Sequence, residues 1–438
     1  MNIVLLSGTS GKQLWPLTND LRSSQFIKIL KTADGSYESM FQRTCKQIQE
    51  VDPSAEITVA ATKAQASVIH NQMGSSVDIC MEPMRKNTFS VAVLAAAYLR
   101  DVRQLPEDSV AVACPVDAYV GNEYFETLLE MAEIIERGQA NLALLGIVPA
   151  GPNEKYGYIV PNDAGHISGV KAFKEKPGAA EAAEYIRQGA LWNSGAFAFR
   201  IGYLLEKAKE LFQFTDYEDL YSRYSGLESI SFDRAVTERE SQIQMVRYEG
   251  SWKDISNWKA LSAEMTETAI GQALYDTSCQ GIHVVNELNI PILCMGLKNA
   301  VVSASAEGIL ISDTDQSTEI VPFVEQMERR IMYAEKSWGE FRVLDVGDTS
   351  LTVKATLNPG DRMHYHSHEH RDEVWTILSG TGRTIVDGME EMVGPGDVIT
   401  MEAGCKHTVT ADTKLEIIEV QLGKEIDAHD KRKYELES

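Results

Sequence analysis

The sequence predicts an α/β fold followed by an all-β C-terminal third. Three observations carry this. Short apolar runs alternate with amphipathic stretches over about the first 150 residues; β runs broken by Asn, Gly and Ser come after Ser251; closely spaced strands with Gly turns fill residues 337–423. In the first part "NIVLLSG", "EITVAA", "VDICME", "SVAVACP" and "LALLGIV" read as strands of a mainly parallel sheet, because strands covered on both faces need near-continuous apolar runs. Between them, "SMFQRTCKQIQEV", "TFSVAVLAAAYLRDV" and "YFETLLEMAEIIERG" read as helices. The last puts Phe125, Leu128, Leu129, Ala132 and Ile135 on one face and stops at Gly138, a suitable C′ residue. Such alternation implies a doubly wound layer with ligands at the carboxyl ends of its strands.

"SCQGIHVVNELNIPILCMGLKNAVVSASAEGILISD" fits either a small β-solenoid or an irregular β linker. "EIVPFVEQMERRIMYAE" reads as a helical connector, the strands beyond it as a compact barrel or sandwich, and the tail "KEIDAHDKRKYELES" as charged and frayed. At 438 residues the chain is too long for one core, so two or three domains are expected. A hydrophobic share of 44% and a charged share of 24% are those of a soluble globular protein. No run of about 18 apolar residues occurs, and "MNIVLLSGTSG" lacks a basic leader, so neither a membrane span nor a signal peptide is expected. The net charge of −23 excludes non-specific binding to nucleic acid or to an anionic membrane. Any phosphate site must therefore supply its own positive field. Cys45, Cys80, Cys114, Cys279, Cys294 and Cys405 show no CxxC spacing and read as reduced packing residues of a cytoplasmic protein.

Five of the nine histidines lie between His364 and His407. Alternate residues of a strand share a face, so His366 and His368 point the same way; Glu373 and His407 on later strands complete a three-His, one-carboxylate set. Such ligands suit Zn, Fe, Mn or Ni. The spacing resembles the cupin pattern: Gly360, His366-x-His368, Glu373 and Gly380, then Gly396, Gly404 and His407. In the first part, the Gly- and Ser-rich turn after "NIVLLSG" offers backbone N–H groups to phosphate. Asp117 in "CPVDAYV" stands at a strand end, where a divalent cation bridging phosphates would sit, and Asp254 in "GSWKDISNW" stands in a similar turn.

"EPMRKNTFSVA", "CPVDAYV", "KYGYIVP", "FKEKP", "LWNSGAFAF", "SFDRAVTE" and "WKDISNW", in this order, resemble sugar-1-phosphate nucleotidyltransferases of the mannose-1-phosphate guanylyltransferase type. The likeness is to the long form fused to a cupin-type mannose-6-phosphate isomerase domain, because "EKSWGEFRVLD" and "HRDEVWTILSGTG" resemble the start of that half. The resemblance implies a Rossmann-like nucleotidyltransferase domain (1–265), a short β-helix linker (266–330) and a C-terminal cupin β-barrel (331–438). It implies a nucleoside triphosphate and a sugar 1-phosphate as substrates, and leaves a homo-oligomer open. Gly8, Gly11 and the position of Gln13 would meet the phosphates, with Glu82 and Asn87 also on the nucleotide side. Asp117 and Asp254 would hold Mg²⁺, Lys176 would meet the sugar phosphate, and Gly157, Glu175 and Asn193 would line the sugar.

The family signature runs G-G-x-G-x-R-L-W-P, then P-K-Q-F; here Gln13 replaces the Arg and Ser24 the Lys. Neutral Gln cannot reproduce a bidentate guanidinium fork, so the signature predicts weakened turnover, with Lys12, Arg22 or Lys28 as substitutes from shifted positions. Two further readings stay open: a non-catalytic sugar-nucleotide sensor or partner subunit, and a metal cupin acting on a sugar phosphate.

Overall fold

The computed structural model describes residues 1–8, 11–327, 330–424, 426 and 430–435. Two compact units emerge: residues 1–10, 25–66 and 73–264 form the first, and 11–24, 67–72 and 265–438 the second.

The first unit is built from β1 (Asn2–Leu6), β2 (Glu56–Thr62), β3 (Asp78–Glu82), β4 (Val110–Pro115), β5 (Ala118–Val120), β6 (Leu142–Ile147), β7 (Tyr158–Pro161), β8 (Ile167–Lys174), β9 (Leu191–Arg200), β10 (Ile243–Tyr248) and β11 (Trp252–Asp254). Nine of these make one sheet in the order β3-β2-β1-β4-β9-β6-β10-β8-β7, while β5 and β11 pair separately. The β3-β2-β1-β4 half is parallel, and all five strands expected from the apolar runs are present. The other half is mixed. β9 runs antiparallel between β4 and β6, and β7 and β8 form a hairpin at the far edge. The apolar runs could not show this, because burial on both faces makes a strand hydrophobic whichever way it runs.

The three expected helices form at Met40–Val51, Thr88–Asp101 and Asn122–Glu136. Ser39 and Gln42 close a capping box on the first, satisfying its free N–H groups. In the third, Phe125, Leu128, Ala132 and Ile135 are buried, and Gly138 takes φ +68° beyond its end. The core between sheet and helices includes Phe89, Val93, Leu94, Phe199 and the stacked pair Phe197–Phe232, 4.1 Å apart.

In the second unit, Gln280–Asn286 pairs in parallel with Ala269–Ile270 and with Lys298–Ser305, while Ala273–Tyr275 pairs in parallel with Ile292–Cys294. Successive parallel pairings of this kind make a short β-solenoid around Ile282, Val284, Cys294, Ala300 and Val302. Gly271 permits its first corner: φ is +86°, and a Cβ there would lie 2.0 Å from the Asn286 carbonyl oxygen. The expected helical connector is only one helical turn, Val321–Val324. Tyr333–Lys336 is instead a strand, drawn into a hairpin with Gly339–Val346. Six- and five-stranded antiparallel sheets follow, closing over Met363, Trp375, Ile377, Val409, Leu415 and Ile417.

Candidate active site

Asp117 lies between β4 and β5, and the β5–β11 ladder places Ala118 opposite Asp254. The two carboxylates are therefore neighbours at the carboxyl end of a central strand. Burial, and then the charge of Asp254, pushes Asp117 up to about 6. Two like charges held together against their repulsion fit a divalent cation shared between them. Beside them Tyr156 packs against Trp192 (4.9 Å) and Trp252 (5.4 Å). Burial, then Asp254 and Asp117, pushes the Tyr156 hydroxyl up to about 12. Trp192 Nε1 donates to Tyr158 Oη at 3.0 Å, whereas the buried Trp252 Nε1 has no partner among the described residues.

Next to this aromatic wall, Asn193 N donates to Gly157 O at 2.8 Å. A side chain at Gly157 would meet Glu175 Oε2 and Phe173 Cζ, both at 2.9 Å, so only Gly allows this approach. β9 shifts register between Asn193 and Phe197, with Gly195 at φ +76°; the bulge re-aims Asn193. Lys176, itself at φ +43°, places Nζ 3.2 Å from Glu175 Oε1. Asn193 Nδ2 donates to Asp233 Oδ1 at 2.9 Å, and Thr237 Oγ1 donates to the same oxygen at 3.3 Å. Asp233 opens a single π-helical turn, Asp233–Thr237. Burial, then the charge of Glu175, pushes its carboxyl up to about 7. The block "SFDRAVTE" contains Asp233, but with Arg234 beside it nothing in the local pattern signals that this acid is buried.

Glu82 ends β3 and is buried; its Oε1 accepts from Lys86 N and Tyr224 Oη, both at 2.8 Å, tying a turn to a neighbouring helix. Asn87 is exposed and caps helix Thr88–Asp101 through Thr88 N at 2.8 Å. Gly8 follows β1 in open space; Thr9 and Ser10 lie outside the described residues. Gly11 and Gln13 belong to the second unit. Gly11 is at φ +67°, and a Cβ there would stand 2.8 Å from Ser24 N. Gln13 sits in the single 3₁₀ turn Lys12–Leu14. Within the same unit Arg22 makes a bidentate pair with Glu287, 2.9 Å at each nitrogen, and Lys12 Nζ lies 2.7 Å from Glu325. Two of the three cations that could stand in for the missing pair are thus engaged by carboxylates.

In the barrel, His366, His368, Glu373 and His407 are all buried, with their ligand atoms within 4.8 Å of one another. Backbone carbonyls orient every ring. His366 Nδ1 donates to His364 O at 2.6 Å, His407 Nδ1 to Cys405 O at 3.1 Å, and His368 Nδ1 to the Asp430 carbonyl. With Nδ1 donating in each ring, Nε2 is left unprotonated; that of His368 also accepts from Arg371 Nη2 at 3.2 Å. Burial, then the charge of Lys431, pushes His366 down to about 2, so it is neutral at pH 7. Burial works to raise Glu373, but His368 and His407 beside it hold it well below the carboxylate range. Trp375 Nε1 and Arg371 Nε steady it, at 3.2 and 3.3 Å. His407 Nε2 lies 3.2 Å from Glu373 Oε2, and His368 Nε2 lies 3.0 Å from Glu373 Oε1. Three buried imidazoles converging with an ionised carboxylate fit a metal ion.

The nucleotidyl transferase family model matches residues 2–269. The chain belongs to that family. The mannose-6-phosphate isomerase C-terminal model matches residues 325–435, the segment that contains the barrel. Relatives match over nearly their full length. A putative mannose-1-phosphate guanylyltransferase of Vibrio cholerae serotype O1 is 28% identical, covering 99% of each chain. The mannose-1-phosphate guanylyltransferase of Escherichia coli is 26% identical over 98% of this chain and 96% of its own. The alginate biosynthesis protein AlgA of Pseudomonas aeruginosa is 26% identical over 96% and 93%. A solved structure named mannose-1-phosphate geranyltransferase, from Thermus thermophilus, matches with a TM-score of 0.61 at 25% identity, covering 74% of this chain and 98% of that one. The family transfers nucleotidyl groups, and the fold class expected from the sequence holds. No helix among the described residues is long and apolar enough to cross a membrane.

Proposed function

We propose that the chain is a cytoplasmic mannose-1-phosphate guanylyltransferase, converting GTP and mannose 1-phosphate to GDP-mannose and pyrophosphate. The observation that carries this is the Asp117–Asp254 pair beside the cluster of Gly157, Glu175, Lys176, Asn193 and Asp233. A phosphate oxygen of the sugar phosphate attacks the α-phosphorus, the bond from α-phosphorus to the bridging oxygen breaks, and pyrophosphate leaves with that electron pair. Little covalent help is needed, so catalysis is positioning and charge neutralisation. Asp117 and Asp254 would hold Mg²⁺, which when bound neutralises phosphate charge. Lys176 presents its ammonium to the sugar phosphate, Glu175 and Asn193 accept and donate to sugar hydroxyls, and Asp233 fixes the Asn193 amide. Gln13 and Ser24 leave the triphosphate less firmly gripped. Each absent cation costs about 3–4 kcal/mol of transition-state stabilisation, a factor of roughly 10²–10³.

Pyrophosphate release from GTP and mannose 1-phosphate tests the reading, run beside the other three nucleoside triphosphates and several sugar 1-phosphates. Turnover with GTP, rising in a Gln13→Arg/Ser24→Lys variant, is expected; silence with every pair in both proteins refutes it. The engagement of Lys12 by Glu325 and Arg22 by Glu287 favours a second reading, a sugar-nucleotide-binding partner subunit. Calorimetry would then show GDP-mannose binding without turnover. For the barrel we propose a resident transition metal, Zn, Fe, Mn or Ni, on His366, His368, Glu373 and His407. Elemental analysis finding no metal in the purified protein counts against it.

A further inference from the structure

The chain passes from the first unit to the second at Gly11 and returns at Gln25. Residues 11–24 between these points form an Ω-loop, a compact excursion whose ends meet. At its base Gly11, at φ +67°, lies so near the returning chain that a Cβ would stand 2.8 Å from Ser24 N and 3.2 Å from Ser23 Cα. The Gly11 carbonyl accepts from Thr18 Oγ1 at 2.7 Å and from Leu14 N at 3.1 Å. Farther along, Asn19 Oδ1 accepts from Leu21 N at 2.9 Å and Arg22 N at 2.8 Å, and Arg22 Nη1 donates to Leu17 O at 3.1 Å.

The rest of the same unit holds this loop from outside. Ser305 Oγ donates to Pro16 O at 2.6 Å, and Trp15 lies against Gly308, where a Cβ would stand 2.6 Å from its ring. Asn19 Nδ2 donates to Glu307 Oε1 and to Tyr333 O, both at 2.7 Å. Arg22, 7% exposed, gives its two terminal nitrogens to Glu287 at 2.9 Å each and lies 4.8 Å over the Tyr333 ring. Among the described residues no other carboxylate stands at ion-pair distance from Arg22. This hold is the strongest, because a buried guanidinium without its one carboxylate must reach water, and the loop that carries it must then open. The loop carries Gly11, Gln13 and Ser24. Neutral Gln13 and Ser24 bring no charge to draw a phosphate into place, so backbone N–H groups remain, and the loop's shape fixes their directions.

We infer that Glu287, acting through Arg22, is a positioning residue for nucleoside triphosphate binding: it holds residues 11–24 in the shape that offers Gly11 and Gln13 to the phosphates. This rests on the nucleotidyltransferase reading above, which assigns those two residues to the nucleotide. The test is calorimetric titration of the full-length wild type and of Glu287→Gln with each of the four nucleoside triphosphates in the presence of Mg²⁺. An affinity lower by roughly tenfold or more in the variant, at unchanged stoichiometry, is expected. Lower stoichiometry at unchanged affinity means lost folded protein and overturns the proposal. Initial rates should show the same split: KM for the nucleotide rises, while KM for mannose 1-phosphate and kcat stay within about twofold. An equal rise in both KM values overturns it. Wild type that binds none of the four nucleotides sinks the nucleotidyltransferase reading and this inference with it. Wild type and variant that bind equally well sink the inference alone. Should Glu287→Gln melt early, Arg22→Lys replaces it, keeping the charge beside Glu287 but not the two-nitrogen fork. A weakening of about threefold is then expected, and unchanged affinity overturns the inference.

Discussion

Replacing Asp233 by Asn tests the packing of the sugar side. Asp233 is 8% exposed, and burial followed by the Glu175 charge moves its carboxyl from an ordinary 3.8 to about 7. The folded chain therefore binds this proton more tightly than the unfolded chain. Stability from this group is present in full below about pH 4, and it is lost as pH rises towards about 7. The span from 3.8 to about 7 sets an upper bound of about 4 kcal/mol on the cost at pH 8. Asp233→Asn removes that cost yet keeps an oxygen to accept from Asn193 Nδ2. The variant should melt higher than wild type at pH 8 and alike at pH 4. Even a quarter of the bound raises Tm by roughly 2–4 °C in a unit of this size. Scanning calorimetry at both pH values is the assay. A variant that melts lower at pH 8, or whose shift is the same at pH 4, refutes the buried, charge-crowded carboxyl described here. Stabilisation with reduced turnover would show strain kept for function.

Gly157→Ala puts a methyl 2.9 Å from Glu175 Oε2; KM for the sugar phosphate should rise roughly tenfold with kcat nearly unchanged, read from initial rates. Glu373→Gln replaces the ionised member of the barrel cluster with a neutral amide, so elemental analysis should show metal affinity lower by at least about tenfold. Gly271→Ala forces a Cβ to 2.0 Å from the Asn286 carbonyl at φ +86°. It should cost about 2–4 kcal/mol, seen as a lower urea midpoint for the second unit.

The blocks that resemble the guanylyltransferases were legible because each needs a particular residue at a tight place: Gly157 against Glu175, Asn193 at a bulge, Asp117 at a strand end. The metal cluster was legible from parity alone, since His366 and His368 are two residues apart. Asp233 was not, because its importance comes from a partner 40 residues away, Asn193, and from burial that no local pattern records. The connector before the barrel was misread as a helix because its pairing partner, Gly339–Val346, outweighs local helical spacing.

The sequence by itself determined the α/β order of the first unit, the strand-rich character of the rest and the identity of the chemistry-bearing residues, all of which follow from periodicity and from side-chain type. Only the tertiary structure decided strand direction, the neighbourhood of Asp117 and Asp254 and the commitment of Arg22 to Glu287. Charge and burial act through space, and a chain folded back across tens or hundreds of residues sets those distances where no local pattern can.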